Sequence, residues 1–197
     1  MPADQHPDPP ADFAARVLLI RDTGQIWTRT HRVSQNPIYF GKTGNNRFDA
    51  PHAEFGVMYA GADLHCAVIE TFGRSHSKAI SVSSLTATGL AHIRPSRDLH
   101  LIDLAESGGL ARIGADARLC SDCDYNLTQK WSKAIYDHPA SVDGVFYRSR
   151  LDPARYACAI FDRTSGVVTA ERLGSLARPE HATALAKVFS TYNWALI

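Results

Sequence analysis

Val57-Met58-Tyr59-Ala60-Gly61-Ala62-Asp63-Leu64-His65-Cys66-Ala67-Val68-Ile69-Glu70-Thr71-Phe72 is the stretch that decides the fold class. Its first four residues are apolar and include β-branched and aromatic side chains, the composition of a strand. Gly61-Ala62-Asp63 then turns the chain, with Asp63 placed to cap a helix. In that helix Leu64, Ala67, Val68, Thr71 and Phe72 recur at the spacing of one buried face, and Cys66 and Ile69 make the remaining surface apolar too. The helix is expected to be buried nearly all round. Glu70 lies close to the core but off the main stripe, where a carboxylate is costly unless it is paired or needed. It is expected to look into a cleft.

Outward from this strand and helix the chain keeps mixing the two element types. Gln25 to Val33 alternates polar with β-branched and aromatic residues and reads as a strand that carries Arg29. Asn36 to Asp49 is a loop rich in turn signals. Before them, Asp12 to Ile20 reads as a short helix or the approach to a strand, followed by a turn at Asp22-Thr23-Gly24. Downstream, residues 80 to 104 suggest two strands, the better being His100 to Leu104, and a glycine-containing segment runs from Ser107 to Gly114. Tyr125 to Tyr136 is expected to be helical with Leu127, Trp131, Ala134 and Ile135 on one side. Val142 to Tyr147 and Tyr156 to Phe161 read as strands, and Ala182 to Phe189 as a closing helix. Strict alternation of a doubly wound sheet is missing, so the class expected is α+β.

The chain has 197 residues, which suits one domain with a self-sufficient core. Residues 1–12 contain Pro2, Pro7, Pro9 and Pro10 among small and acidic residues and are expected to form a flexible tail, leaving 13–197 as the single domain. With 21 basic and 20 acidic residues the formal net charge is +1, which offers no broad cationic footprint for nucleic acid or a membrane surface. Any bound anion is expected to be small. Four cysteines are too few for a disulfide framework. No signal peptide or membrane-spanning run is visible, so a reducing cytoplasm is the expected location.

Familiar motifs fail one by one. Gly41-Lys42-Thr43 resembles the end of a phosphate-binding P-loop, but the required first glycine falls at Asn36 and Gly44-Asn45-Asn46 opposes the helix that should follow. Lys42 is left as a residue that can lie near a phosphate. There is no GxGxxG, so a dinucleotide would have to bind without that fingerprint. Cys120-Ser121-Asp122-Cys123 has ligand spacing for zinc, but no second close pair completes a site, and Cys66 and Cys158 read as core residues; no metal is expected. Ser149 lacks the GxSxG elbow of a hydrolase.

What remains is Arg29, Arg47, Tyr59, Glu70 and Ser149. Taken singly, each has an ordinary reading: surface ion pairs for the arginines, core packing for Tyr59, a partner of an arginine for Glu70, a strand-end hydroxyl for Ser149. Together, a carboxylate, an aromatic ring, arginines and a serine are the groups needed to hold and cleave a dinucleotide such as NAD. The order Ile26-Trp27-Thr28-Arg29, Gly44-Asn45-Asn46-Arg47-Phe48-Asp49, Phe55 to Ala60, Ala67 to Phe72 and Asp143 to Arg150 resembles the RES domain, named for its Arg, Glu and Ser. The resemblance runs from about Ile26 to Phe161. It matches the family's Arg to Arg47, the Tyr to Tyr59, the Glu to Glu70 and the Ser to Ser149, with Arg29 as an additional arginine of the first strand. Asn46 replaces the usual small residue before the arginine, and Phe48-Asp49 stands where some members have Trp-Asn.

The resemblance implies a fold similar to the ADP-ribosyltransferases of the diphtheria-toxin type, with NAD in a cleft between two small sheets flanked by helices. It implies a toxin that splits nicotinamide from ADP-ribose by hydrolysis or by transfer to phosphate, with NAD as substrate and no cofactor, silenced by an Xre-type antitoxin that covers the cleft. Glu70, Arg47, Tyr59 and Ser149 would be catalytic, and Arg29, Arg47, Tyr59 and Ser149 would hold NAD. ADP-ribosyl transfer to a protein, a catalytically silent nucleotide- or partner-binding module, and a homodimer stay open as alternatives.

Overall fold

The computed structural model describes residues 6–75 and 78–197. Its strands are β1 (Ile20–Thr23), β2 (Trp27–Arg32), β3 (Val57–Gly61), β4 (Ala79–Ile80), β5 (Thr88–Pro95), β6 (Leu99–Asp103), β7 (Gly144–Arg148), β8 (Tyr156–Phe161), β9 (Val168–Ser175) and β10 (Ala195–Leu196). The helices are α1 (Leu64–Phe72), α2 (Val82–Ala87), α3 (Gly109–Ile113), α4 (Arg118–Ser121), α5 (Tyr125–Asp137) and α6 (Ala182–Tyr192). Eight strands form one sheet in the order β1-β6-β7-β8-β3-β2-β5-β9, while β4 and β10 make a separate parallel ribbon. Only the β6–β7 pair in the large sheet is parallel, and the connection between them carries α3, α4 and α5. The class is α+β.

The sheet is nearly divided. β2 and β3 pair at one position only, Thr28 opposite Gly61, whereas β2 pairs β5 at six positions and β3 pairs β8 at five. A half of five strands, β1-β6-β7-β8-β3, therefore meets a half of three, β2-β5-β9, at a single joint. The two small sheets implied by the resemblance are these halves.

Period-two alternation decides which core each strand feeds. In β8, Ala157, Ala159 and Phe161 enter a cluster with Phe48, Phe55, Trp131 and Ile135, while Cys158 and Ile160 enter a second with Trp27, Met58, Ile93 and Leu101. Both faces of the central strands are thus covered, which is why they read as continuous apolar runs. A third cluster, Val68, Leu85, Leu90, Leu176, Leu185 and Val188, fastens α1, α2 and α6 to the three-stranded half.

Helix α1 is set against β3 by two local features. The Asp63 side chain accepts the Cys66 N–H at 2.7 Å, satisfying an otherwise orphaned donor of the first turn. A Cβ on Gly61 would stand 2.7 Å from the Ala67 nitrogen and from the Cys66 Cβ, so this close approach needs glycine. The buried residues of α1 are Cys66, Ala67, Val68 and Ile69, with Cys66 in the first core and Val68 in the third, whereas Thr71 of the expected stripe is exposed. Thr71 leaves the stripe because it lines a cavity, whereas Phe72 still packs against the third cluster.

Other expectations shift at their boundaries. Two strands do fall inside 80–104, but Val82–Ala87 is helical because the Ser81 hydroxyl caps the turn by accepting the Ser84 N–H at 3.1 Å. Strands β1 and β9 have no sequence-based counterpart. Residues 6–12, expected to belong to a flexible tail, make side-chain contacts with α5. His6 is buried with its ring edge-on to Trp131, the Trp131 Nε1–H donates to the Pro7 carbonyl at 2.9 Å, and Lys130 meets Asp8 at 3.0 Å. Residues 1–5 lie outside the described residues. Among those described, no helix is long and apolar enough to cross a membrane.

Asp63→Ala is expected to remove the α1 cap and cost about 1–2 kcal/mol of stability. Urea denaturation checks it; an unchanged midpoint would show that the cap does not hold α1 in place.

Candidate functional site

The cavity of about 200 Å³ opens where the two half-sheets part and is walled by β2, β3, α1, the loop before Asp49 and the turn after β7. Arg29, Arg47, Tyr59 and Glu70 all line it. Ser149 joins them through a hydrogen bond instead of through the wall itself: its hydroxyl donates to Glu70 Oε1 at 2.5 Å. The direction of that bond is fixed by the turn. Ser149 Oγ also accepts the N–H groups of Leu151 at 3.1 Å and Asp152 at 3.3 Å, so its single proton points at the carboxylate. Ser149 is 1% exposed.

Tyr59 is locked at its hydroxyl. It donates to Asp49 Oδ1 at 2.9 Å and accepts the Phe48 N–H at 2.9 Å. Burial, and after it the charge of Asp49, pushes the phenol well above its ordinary pKa. The group therefore stays protonated and serves as a wall, not as a base. Tyr147, also in the wall, is pushed up by burial and then by the Glu70 charge.

Asp49 is fully buried, and neutral donors surround it. Besides the Tyr59 hydroxyl it accepts from Thr43 Oγ1 at 3.3 Å, the Asn46 N–H at 3.1 Å and Asn46 Nδ2 at 3.2 Å. Helix α5 grips the same loop from behind. Gln129 Nε2 donates to the carbonyls of Gly44 at 2.7 Å and Asn46 at 3.0 Å, and Ser132 Oγ to that of Phe48 at 2.6 Å. Arg47 is thereby delivered to the cavity at 7% exposure, with one N–H on the Leu119 carbonyl at 3.3 Å and the guanidinium 5.1 Å from the Tyr125 ring centre.

Arg29 reaches the wall as expected, but its guanidinium is already committed. Nη1 donates to the Tyr59 carbonyl at 2.6 Å and Nη2 to that of Tyr39 at 3.5 Å, while Nε is buried without a partner. Loss of hydration lowers its pKa to about 10. Arg29 spans the parting between β2 and β3, with two of its five N–H groups given to backbone carbonyls and the others left for a ligand. Lys42 pairs with Asp162 at 3.6 Å and is not part of the cavity wall.

Sequence reasoning passed over Asp49, Gln129 and Ser132, whose contacts span up to 85 residues and leave no local pattern. It also passed over Arg74, which lines the cavity together with Arg150, a residue the sequence offers as one of two cations beside Ser149. The signal was present: Arg74 stands four residues after Glu70, just past the end of α1.

A family model described as the RES domain matches residues 25–181. A curated relative, "Probable toxin y4kH" of Sinorhizobium fredii (strain NBRC 101917 / NGR234), is 30% identical over 105 residues, covering 53% of this chain and 80% of the relative. A chain in the crystal structure of the M. tuberculosis MbcT-MbcA toxin-antitoxin complex shares the fold, with a TM-score of 0.62 at 15% identity over 86% of this chain and 94% of that one.

Asp49→Ala would leave the Tyr59 hydroxyl, Thr43 and Asn46 facing no acceptor, and each buried orphan costs about 1–3 kcal/mol. We expect a loss of at least about 2 kcal/mol in urea denaturation, against about 1 kcal/mol for Tyr59→Phe, with hydrogen exchange accelerated over residues 43–49. Equal effects of the two substitutions would show that the carboxylate does not lock the loop.

Proposed function

Because the chain belongs to the RES-domain family, we propose that it is the toxin of a toxin–antitoxin pair and that its cavity cleaves the bond between nicotinamide and ribose in NAD. The observation that carries this reading is the carboxylate of Glu70, held by the Ser149 hydroxyl in a small cavity walled by an aromatic ring and guanidinium groups. The names of the relative and of the solved complex support the toxin part of the proposal.

The chemistry follows from the leaving group. Nicotinamide departs from NAD as a neutral ring that needs no protonation, and positive charge develops on the ribose, so the main demand is stabilisation of an oxocarbenium-like centre. Glu70 supplies the matching negative charge. With Oε1 accepting from Ser149, the plane of the carboxylate is fixed before substrate arrives, and Oε2 is left to a ribose hydroxyl or to the developing cation. Tyr59 offers a flat face for the nicotinamide ring, and its hydroxyl takes no part in proton transfer because Asp49 and Phe48 occupy it. Arg47 anchors an anionic or amide portion of the substrate. No metal is needed in this scheme. Water or phosphate takes up the ADP-ribose. An antitoxin that covers the mouth would silence the protein by excluding NAD.

Glu70→Gln keeps the size of the side chain and its bond to Ser149 while removing the charge. It is expected to reduce NAD consumption by at least about a hundredfold, the scale of removing one preorganised electrostatic partner. The assay follows NAD loss with purified protein, and mass spectrometry distinguishes free ADP-ribose or its phosphate from a modified protein. Unchanged turnover in Glu70→Gln would dispose of the mechanism.

A further inference from the structure

The cavity has an uneven charge: four arginines, Arg29, Arg47, Arg74 and Arg150, line it together with a single carboxylate, Glu70. Elsewhere seven arginines, Arg16, Arg21, Arg94, Arg97, Arg118, Arg155 and Arg178, carry carboxylate partners. Among the described residues none of the four cavity arginines does. Arg29 and Arg47 are at least partly answered by backbone carbonyls. Arg74 is exposed just beyond α1, and the contact of Arg150 is one N–H on Cys123 Sγ at 2.9 Å, a weak acceptor.

The size of the cavity places these two arginines in context. A drug-sized ligand fills roughly 300–1,000 Å³, and the enclosed space here is about 200 Å³. It can hold one end of a dinucleotide and not the whole. The remainder has to leave through the mouth, and the first groups beyond the nicotinamide ribose are the two phosphates. Planar guanidinium groups bind phosphoryl oxygens in pairs.

We propose that Arg74 and Arg150 form a phosphoryl subsite that clamps the diphosphate bridge of a nicotinamide dinucleotide and makes phosphorylated substrates preferred over the bare nucleoside. The inference rests on the reading of the site as one that cleaves NAD. It assigns the two residues to binding, with the chemistry left to Glu70. Because Arg74 is exposed, its contribution is screened by salt.

The test compares NAD with nicotinamide riboside, which has the same glycosidic bond and no phosphate. Arg74→Ala and Arg150→Ala are each expected to lower the ratio of kcat/KM for NAD to that for nicotinamide riboside at least about tenfold, the scale of one lost charge-assisted contact. Arg94→Ala, whose guanidinium pairs with Glu171 away from the cavity, should keep the wild-type ratio. Equal losses for both substrates, no loss, or a loss seen only when inorganic phosphate is added would overturn the clamp. Calorimetry with inorganic pyrophosphate separates the two readings. If the wild type leaves NAD intact yet binds pyrophosphate through both arginines, the proposed reaction fails and the subsite stands; if NAD is cleaved and the arginines make no difference, the subsite fails alone.

Discussion

The single joint between β2 and β3, Thr28 opposite Gly61, is the constraint on which the rest depends. A fully paired ladder would have closed the sheet and left no cavity. Parting two strands normally leaves backbone carbonyls without donors, a cost of about 1–3 kcal/mol for each buried group. Arg29 meets that cost by reaching across the gap to the Tyr59 carbonyl. A guanidinium suits the position because it stays charged even with its pKa lowered to about 10, whereas a lysine desolvated to the same degree would be closer to neutrality. The cleft is therefore built into the sheet.

Around the parting, polar groups are tied to one another in a fixed order. The α5 side chains Gln129 and Ser132 hold the loop that carries Arg47, Asp49 ties that loop to Tyr59, and the turn after β7 aims the Ser149 proton at Glu70. A second set of contacts steadies the helix and the turn together. Arg155 reaches Asp63, the cap of α1, at 2.7 Å, and Asp152, whose N–H donates to Ser149, accepts the Tyr192 hydroxyl at 2.8 Å. The elements that carry Glu70 and Ser149 are thus braced by shared neighbours, the arrangement expected where a carboxylate must be oriented before its partner arrives.

Much of this was legible in the sequence where the physics is local. The strand at Val57–Gly61, the capped helix after it and the placement of Glu70 beside a cleft follow from periodicity and from the cost of burying a carboxylate. Tyr156–Phe161 and the start of the helix at Tyr125 also stand where their patterns put them. What escaped is non-local. Asp49 looks like any loop aspartate until Tyr59 is folded onto it, and β1 is a four-residue edge strand whose identity depends on pairing with β6. The segment 6–12 has the composition of a tail, yet Trp131 offers it a buried donor that composition does not reveal. Arg29 was recognisable as a strand arginine, but its commitment to carbonyls across the parting was not.

The excess of guanidinium over carboxylate poses a problem for the proposed reaction, and its resolution links the two halves of the ligand. An oxocarbenium-like ribose is cationic, and a cavity lined by four arginines and one glutamate would by itself oppose it. Charge interactions fall with distance, so the nearest group counts most, and Glu70 is held for that position by Ser149. A bound diphosphate would offset two of the arginines at the mouth, leaving the field at the ribose dominated by the carboxylate. On this account the phosphates do more than add affinity: they remove the repulsion that the empty cavity would exert on the transition state. Part of the binding energy of the distant half of the substrate then acts on the reacting bond.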